Sequence, residues 1–192
     1  MAEKKKRTSF NWRTRLAAQS DLMDLGERIR AKKKKIVFTA GNWDLLHVGQ
    51  TRYLQKAKEL GDVLVVGVAS DIAVREKKGK NKPILGELIR AEMLANIRWV
   101  DFVTIFPETS CQPSLGLLKP DVFLTVVEDW NTDFENSKEY KTVTSYDGEV
   151  VKADRQSPFL STTKILDRAI GGKLSDMFKD FMDYRKDPLR EK

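Results

Sequence analysis

The sequence predicts an α/β fold built on a doubly wound parallel sheet, and three observations carry that prediction. Short apolar runs at Ile36–Thr39, Val63–Ala69, Asp101–Phe106 and Asp121–Val127 alternate with stretches of helical period. Val63–Ala69 is apolar without alternation, as a strand covered on both faces must be. The first run leads through Ala40, Gly41, Asn42, Trp43, Asp44 and His47 into a helical stretch. That order, strand then glycine turn then helix, leaves backbone N–H groups free at a helix start, where an anionic phosphate prefers to sit.

The elements follow in order. Residues 1–19 carry charge, Phe10 and Trp12 without a sustained period, and read as a flexible basic arm ending near residue 20. Ser20-Asp21 can cap a helix that places Leu22, Leu25 and Ile29 on one face. After the turn, Leu46, Tyr53, Leu54, Ala57 and Leu60 mark the buried face of the next helix. Ser70-Asp71 opens a short helix, and residues 77–83 form a lysine-rich loop. Helical spacing returns over Glu87–Arg98, and a short helix spans Cys111–Leu118. Residues 140–146 fit no pattern. Asp147-Gly148 turns into a strand at 149–152. Thr162 or Thr163 starts a helix that should stop at Gly171-Gly172, closing a domain over residues 21–172. Leu174, Met177, Phe178 and Phe181 mark a second helix over 173–192.

Composition narrows the function. The chain has 192 residues, 41% of them apolar and 33% charged, with one cysteine. One cysteine excludes an intramolecular disulfide and a cysteine metal cluster, and no apolar run approaches a membrane span. The cytoplasm is the expected compartment. The net charge of +7 sits almost entirely in the first 35 residues, with 12 Lys/Arg against 4 Asp/Glu, while the rest carry 23 against 24. The folded body is thus nearly neutral, and nucleic acid is not the favoured partner.

Four constellations can carry chemistry. Asp44, His47 and Gln50 lie on the turn and first helical turn, and His47 is the only histidine in the chain. Gly41-Asn-Trp-Asp-Leu-Leu-His-Val-Gly-Gln50 resembles the G-x-F-D-x-x-H-x-G-H motif of the small nucleotidyltransferases related to glycerol-3-phosphate cytidylyltransferase. Within them it looks closest to the heptose-phosphate adenylyltransferases, with Gln50 in place of the second histidine. Arg155-Gln-Ser-Pro-Phe-Leu-Ser-Thr-Thr-Lys-Ile165 resembles the R-T-x-G-I-S-T-T-K-I segment of that family. Lys78-Gly-Lys-Asn-Lys-Pro83 resembles its K-G-x-x-R-P loop, and Arg90-Ala-Glu its R-A-E helix start. Glu128-Asp-Trp130 resembles the G-D-D-W segment of the glycerol-3-phosphate enzymes, with Val126 and Val127 where glycines are usual.

The resemblance implies a Rossmann-like fold of the HxGH nucleotidyltransferase type and a set of roles. His47, Gln50, Asp44 and Arg90 would be catalytic. Thr39, Ala40, Gly41, Asn42, Trp43, Gly49, Asp129, Arg155, Ser161, Thr162 and Thr163 would bind the nucleotide. Lys78, Lys80, Lys82 and Trp130 would hold the acceptor. Mg²⁺ would enter with the nucleoside triphosphate, since no carboxylate cluster offers a protein cage. The implied reaction moves AMP from ATP to a sugar phosphate such as a heptose 1-phosphate and releases pyrophosphate. The alternatives are a CTP-dependent polyol-phosphate cytidylyltransferase and a catalytically impaired nucleotide-binding regulator. Relatives commonly pair, so a homodimer is expected.

Overall fold

A computed structural model describes residues 10–126, 134–154, 156 and 161–185, with backbone alone over 178–185. Five strands form one parallel sheet: β1 (Ile36–Gly41), β2 (Val63–Ala69), β3 (Phe102–Phe106), β4 (Val122–Val126) and β5 (Glu149–Ala153). Their order is β3-β2-β1-β4-β5. Seven helices surround it: α1 (Leu22–Arg30), α2 (Val48–Glu59), α3 (Asp71–Lys78), α4 (Glu87–Ala95), α5 (Gln112–Leu118), α6 (Lys138–Thr144) and α7 (Thr162–Arg185).

Side chains alternate across a strand, so each central strand feeds two cores. Phe38, Val63, Val65 and Phe123 pack with α1, α3, α5 and α6 on one face. Val37, Leu64, Val66, Val68 and Leu124 pack with α2 and α4 on the other. Every residue of β2 is buried, which is why its run shows no alternation. The doubly wound parallel sheet expected from the pattern is the one observed. Residues 140–146, unassigned from sequence, mostly lie in α6, whose first turn is capped by Ser137 Oγ accepting the Tyr140 N–H.

Two boundaries differ from expectation. From Trp12 the chain is packed on the domain. Leu16 forms a parallel bridge with Val103 on the edge strand β3, and the Ala17 N–H donates to the Val103 carbonyl at 2.9 Å. One Arg15 nitrogen donates to the carbonyls of Ala95, Ile97 and Val100 at 2.9, 3.3 and 2.8 Å. A composition-based arm cannot reveal such contacts, because the partners lie 80 and more residues away. Arg15→Met should lower stability by about 1–3 kcal/mol, since three carbonyls lose a charged donor, and urea unfolding measures it.

The second difference is α7, which runs through Gly171-Gly172 without a break. Glycine permits a helix stop without requiring one. Leu166, Ile170, Leu174 and Met177 keep spacings of four, four and three across the pair, so a single helical face continues through it.

Candidate functional site

The strand order reverses between β1 and β4, and in such sheets ligands bind at the carboxyl edge where the order reverses. The geometry opens that edge. β1 and β4 pair only at Val37–Val122 and Phe38–Phe123, although β1 continues to Gly41 and β4 to Val126. Beyond Phe38 the two strands part. Thr39 Oγ1 lies 2.9 Å from the Tyr53 hydroxyl, which donates to the Leu124 carbonyl at 3.0 Å. The pair thus satisfies a carbonyl that the parting of the strands would orphan. Thr39, expected to bind nucleotide, is fully buried in this seal.

The turn after β1 is held by its side chains. Trp43 and Leu45 both take left-handed backbone angles, φ 55° and 48°, which side chains disfavour. Trp43 is buried, packs against Tyr53, and donates its indole N–H to the Gly67 carbonyl at 2.8 Å. Expected as a nucleotide contact, its side chain instead pins the turn to β2. Gly41 sits close beside it: a Cβ there would lie 3.2 Å from the Trp43 ring, which would have to give by a few tenths of an ångström.

His47 caps α2 in a reciprocal arrangement. Its Nδ1 accepts the Gly49 N–H at 3.2 Å, and Gln50 Oε1 accepts the His47 N–H at 3.1 Å. A neutral imidazole accepting at Nδ1 carries its proton on Nε2. Gln50, with its oxygen committed, retains its amide N–H groups. The helix start therefore offers two neutral side-chain donors, while the N–H groups of Gly49, Gln50 and Thr51 are already bonded to His47. Partial burial holds the His47 pKa below the ordinary value of about 6.5.

The unfolded chain binds a proton on this residue more readily, so its contribution to stability is complete above about pH 6.5 and is lost as pH falls toward the folded value. Since the chain has one histidine, a proton NMR titration of the imidazole reads this directly, with an expected midpoint below 6.5. A midpoint above 6.5 would contradict the cap.

Asp44 joins the separate constellations. Its buried carboxylate accepts the N–H groups of Ile84 and Leu85 at 2.9 and 3.0 Å, which ties down the end of the lysine loop. Its carbonyl accepts from Thr162 Oγ1 at 2.6 Å, which ties down the start of α7. Ser161 Oγ accepts the Lys164 N–H at 3.2 Å and caps α7, while Thr163 is exposed. Three stretches 40 and more residues apart thus meet at one residue. Neither α2 nor α7 carries an acidic side chain in its first turn, so neither positive helix end is neutralised by its own first turn.

Two of the expected catalytic groups have protein partners in this structure. The Asp44 carboxylate is taken up by two backbone amides, which makes it a structural anchor. Arg90 is fully buried, and its guanidinium donates to the carbonyls of Leu85 and Asn42 and to Asp71. Asp71 was legible in sequence only as a helix opener, since nothing local signals a partner 19 residues on. Lys78 and Lys80 are exposed and Lys82 is half-buried, all beside the anchored loop. Asp129, Trp130 and Arg155 lie outside the described residues.

No group of three or more carboxylate, histidine or cysteine side chains is placed to hold a metal among the described residues. With Asp44 committed, these residues do not form a cage for Mg²⁺. Burial, reinforced by Glu139, pushes the Cys111 thiol up to about 12, so it offers no ready nucleophile. A cavity of about 530 Å³ opens beside Leu16, Ile29, Val63 and Phe102, at the amino ends of β2 and β3. It lies at the opposite sheet edge from His47. No helix among the described residues is long and apolar enough to cross a membrane.

Comparison with known proteins agrees with this geometry. The bifunctional protein HldE of Syntrophotalea carbinolica is 36% identical over 162 residues, covering 84% of this chain and 32% of that protein. HldE of Campylobacter jejuni subsp. doylei is 43% identical over 119 residues, 60% of this chain and 25% of that one. HldE of Geobacter metallireducens is 49% identical over 98 residues, 51% and 20% respectively. The chain thus spans a fifth to a third of these relatives. The crystal structure of a lipopolysaccharide core biosynthesis protein from Thermoplasma volcanium superposes with a TM-score of 0.54 at 26% identity, over 64% of this chain and 98% of that one. The model of the cytidylyltransferase-like family matches residues 38–168, from the first strand through the capped turn to the start of α7. With the split sheet and the two helix starts gathered at Asp44, that match makes this chain a member of the cytidylyltransferase-like family.

Proposed function

We propose that this protein is a nucleotidyltransferase that moves AMP from ATP to a sugar phosphate. The observation that carries the proposal is the convergence at Asp44 of the capped start of α2, the start of α7 and the lysine loop. Two helix starts without acidic side chains suit a triphosphate, and Lys78, Lys80 and Lys82 suit the phosphate of an acceptor.

An acceptor phosphate oxygen attacks the α-phosphorus, the bond to the bridging oxygen breaks, and pyrophosphate leaves with that oxygen. No covalent intermediate with the protein is needed. His47 and the Gln50 amide donate to the phosphate oxygens as charge builds on the leaving group, and the positive end of the α2 dipole adds to them. Mg²⁺ carried on the nucleotide phosphates supplies further charge neutralisation when bound. ATP and a heptose 1-phosphate are favoured by the similarity to HldE and to the heptose-phosphate loop motif. CTP with glycerol 3-phosphate is the second pairing, from Glu128-Asp-Trp130. A homodimer is proposed as well, with Ile170, Leu174 and Met177 exposed along α7 as the apolar surface available to a second copy.

Pyrophosphate release with Mg²⁺ tests the reaction, scanning ATP and CTP against heptose 1-phosphate, glycerol 3-phosphate and other sugar phosphates. Turnover with one pair establishes both substrates. Absence of turnover with every pair, while nucleotide still binds, favours the impaired regulator. Gln50→His adds to that comparison, because a large gain in rate would show a competent scaffold limited by this residue alone.

A further inference from the structure

The bonds around Arg90 close into a ring. Leu85 is gripped on both sides. Its N–H donates to Asp44 Oδ1 at 3.0 Å, and its carbonyl accepts from Arg90 Nε at 2.9 Å. A second Arg90 nitrogen donates to the Asn42 carbonyl at 2.5 Å, two residues before Asp44. From Asp44 the path runs to Leu85, to Arg90, to Asn42 and along the chain back to Asp44. The remaining arm of Arg90 meets Asp71 Oδ1 at 2.7 Å, so the buried charge is balanced. Asp71 is itself held, its N–H donating to Glu87 at 2.7 Å. Trp43 lies inside the ring and Leu45 just beyond it, and both have left-handed backbone. Such a conformation persists only where its surroundings over-determine it.

We propose that Arg90 and Asp44 are positioning residues that lock the strained turn at 42–45 to the loop end at 84–85, so that the phosphate-binding helix start and the lysine loop meet their ligands as one rigid unit. Arg90 then acts without touching nucleotide. Its charge balances Asp71, and its fork sets the distance between two backbone segments more than 40 residues apart. A lysine keeps the charge but cannot reach both carbonyls at once. This inference rests on the nucleotide-binding reading of the site, and its test separates the two.

Calorimetric binding of Mg·ATP and Mg·CTP is measured for the wild type, Arg90→Lys, Asp44→Asn and the double variant. Each single change should weaken binding roughly tenfold. The double variant should be about as weak as either single one, because either change opens the same ring. An additive loss in the double variant overturns the inference while leaving the nucleotide reading intact. A wild type that binds neither nucleotide overturns that reading, and amide hydrogen exchange then judges the ring alone. Arg90→Lys should speed exchange at Ile84 and Leu85, whose N–H groups bond Asp44 and not Arg90, while β2 amides stay protected. Unchanged exchange at Ile84 and Leu85 overturns it. Should Arg90→Lys fail to fold, Asp44→Asn reads the ring from its other side. The Arg90 Nε–H proton should then exchange faster, and an unchanged rate sinks the inference.

Discussion

His47→Ala should lower turnover by roughly a hundredfold to a thousandfold, the usual effect of removing a preorganised donor to a developing charge. The structure makes the variant interpretable. His47 is the N-cap of α2, and Ala removes both the Nδ1 acceptor for the Gly49 N–H and the Nε2 donor. Loss of a cap costs about 1 kcal/mol of stability, small beside the barrier change. His47→Asn separates the roles, because Asn restores a good cap without placing a donor where the imidazole Nε2 lies. Asn should therefore recover the melting temperature and leave turnover low. Pyrophosphate release beside a thermal melt measures both quantities. A His47→Asn variant with wild-type turnover would remove the histidine from the chemistry and leave it a capping residue.

Arg90→Met should lower stability by about 3–5 kcal/mol, the range for a buried ion pair that loses one partner. The side chain is fully buried, and Asp71, about three-quarters buried, would keep only the half-exposed Arg75 at 3.9 Å as a cation. The carbonyls of Leu85 and Asn42 would lose their donors as well. Arg90→Lys should fall between wild type and Arg90→Met, since it keeps the charge facing Asp71. Urea unfolding with an unchanged slope is the measurement. A loss below about 1 kcal/mol would mean that water reaches these groups and that the clamp is weak.

Much of the fold was legible because it rests on short-range rules. Buried parallel strands must be apolar on both faces, and Val63–Ala69 states that in seven letters. The Ser70 cap and the face shared by Leu22, Leu25 and Ile29 are likewise local matters. The start of α2 was local as well, since His47 and Gln50 are three apart and share that helix start. Their reciprocal bonds refined that reading: Gln50 supports the histidine backbone and still presents an amide.

What escaped was contact across distance. Arg90 reads in sequence as a cation ready for phosphate, and Asp44 as a carboxylate ready for water. Asp44 is consumed by backbone amides 40 and 41 residues away, and Arg90 by the Asp71 carboxylate and the Asn42 carbonyl, 19 and 48 residues away, as well as by the nearby Leu85 carbonyl; no periodicity encodes the distant partners. Thr39 and Trp43 sit inside the resembling motif yet face the protein, because parting strands leave a carbonyl to satisfy and a left-handed turn needs a brace. The sequence by itself therefore determined the parallel sheet, the family and the start of α2 after the glycine turn, all of which depend on residue type at fixed local spacing. Only the tertiary structure decided which of the motif's side chains are free to touch a ligand, because a polar group buried in folding must take whatever partner the packing brings to it.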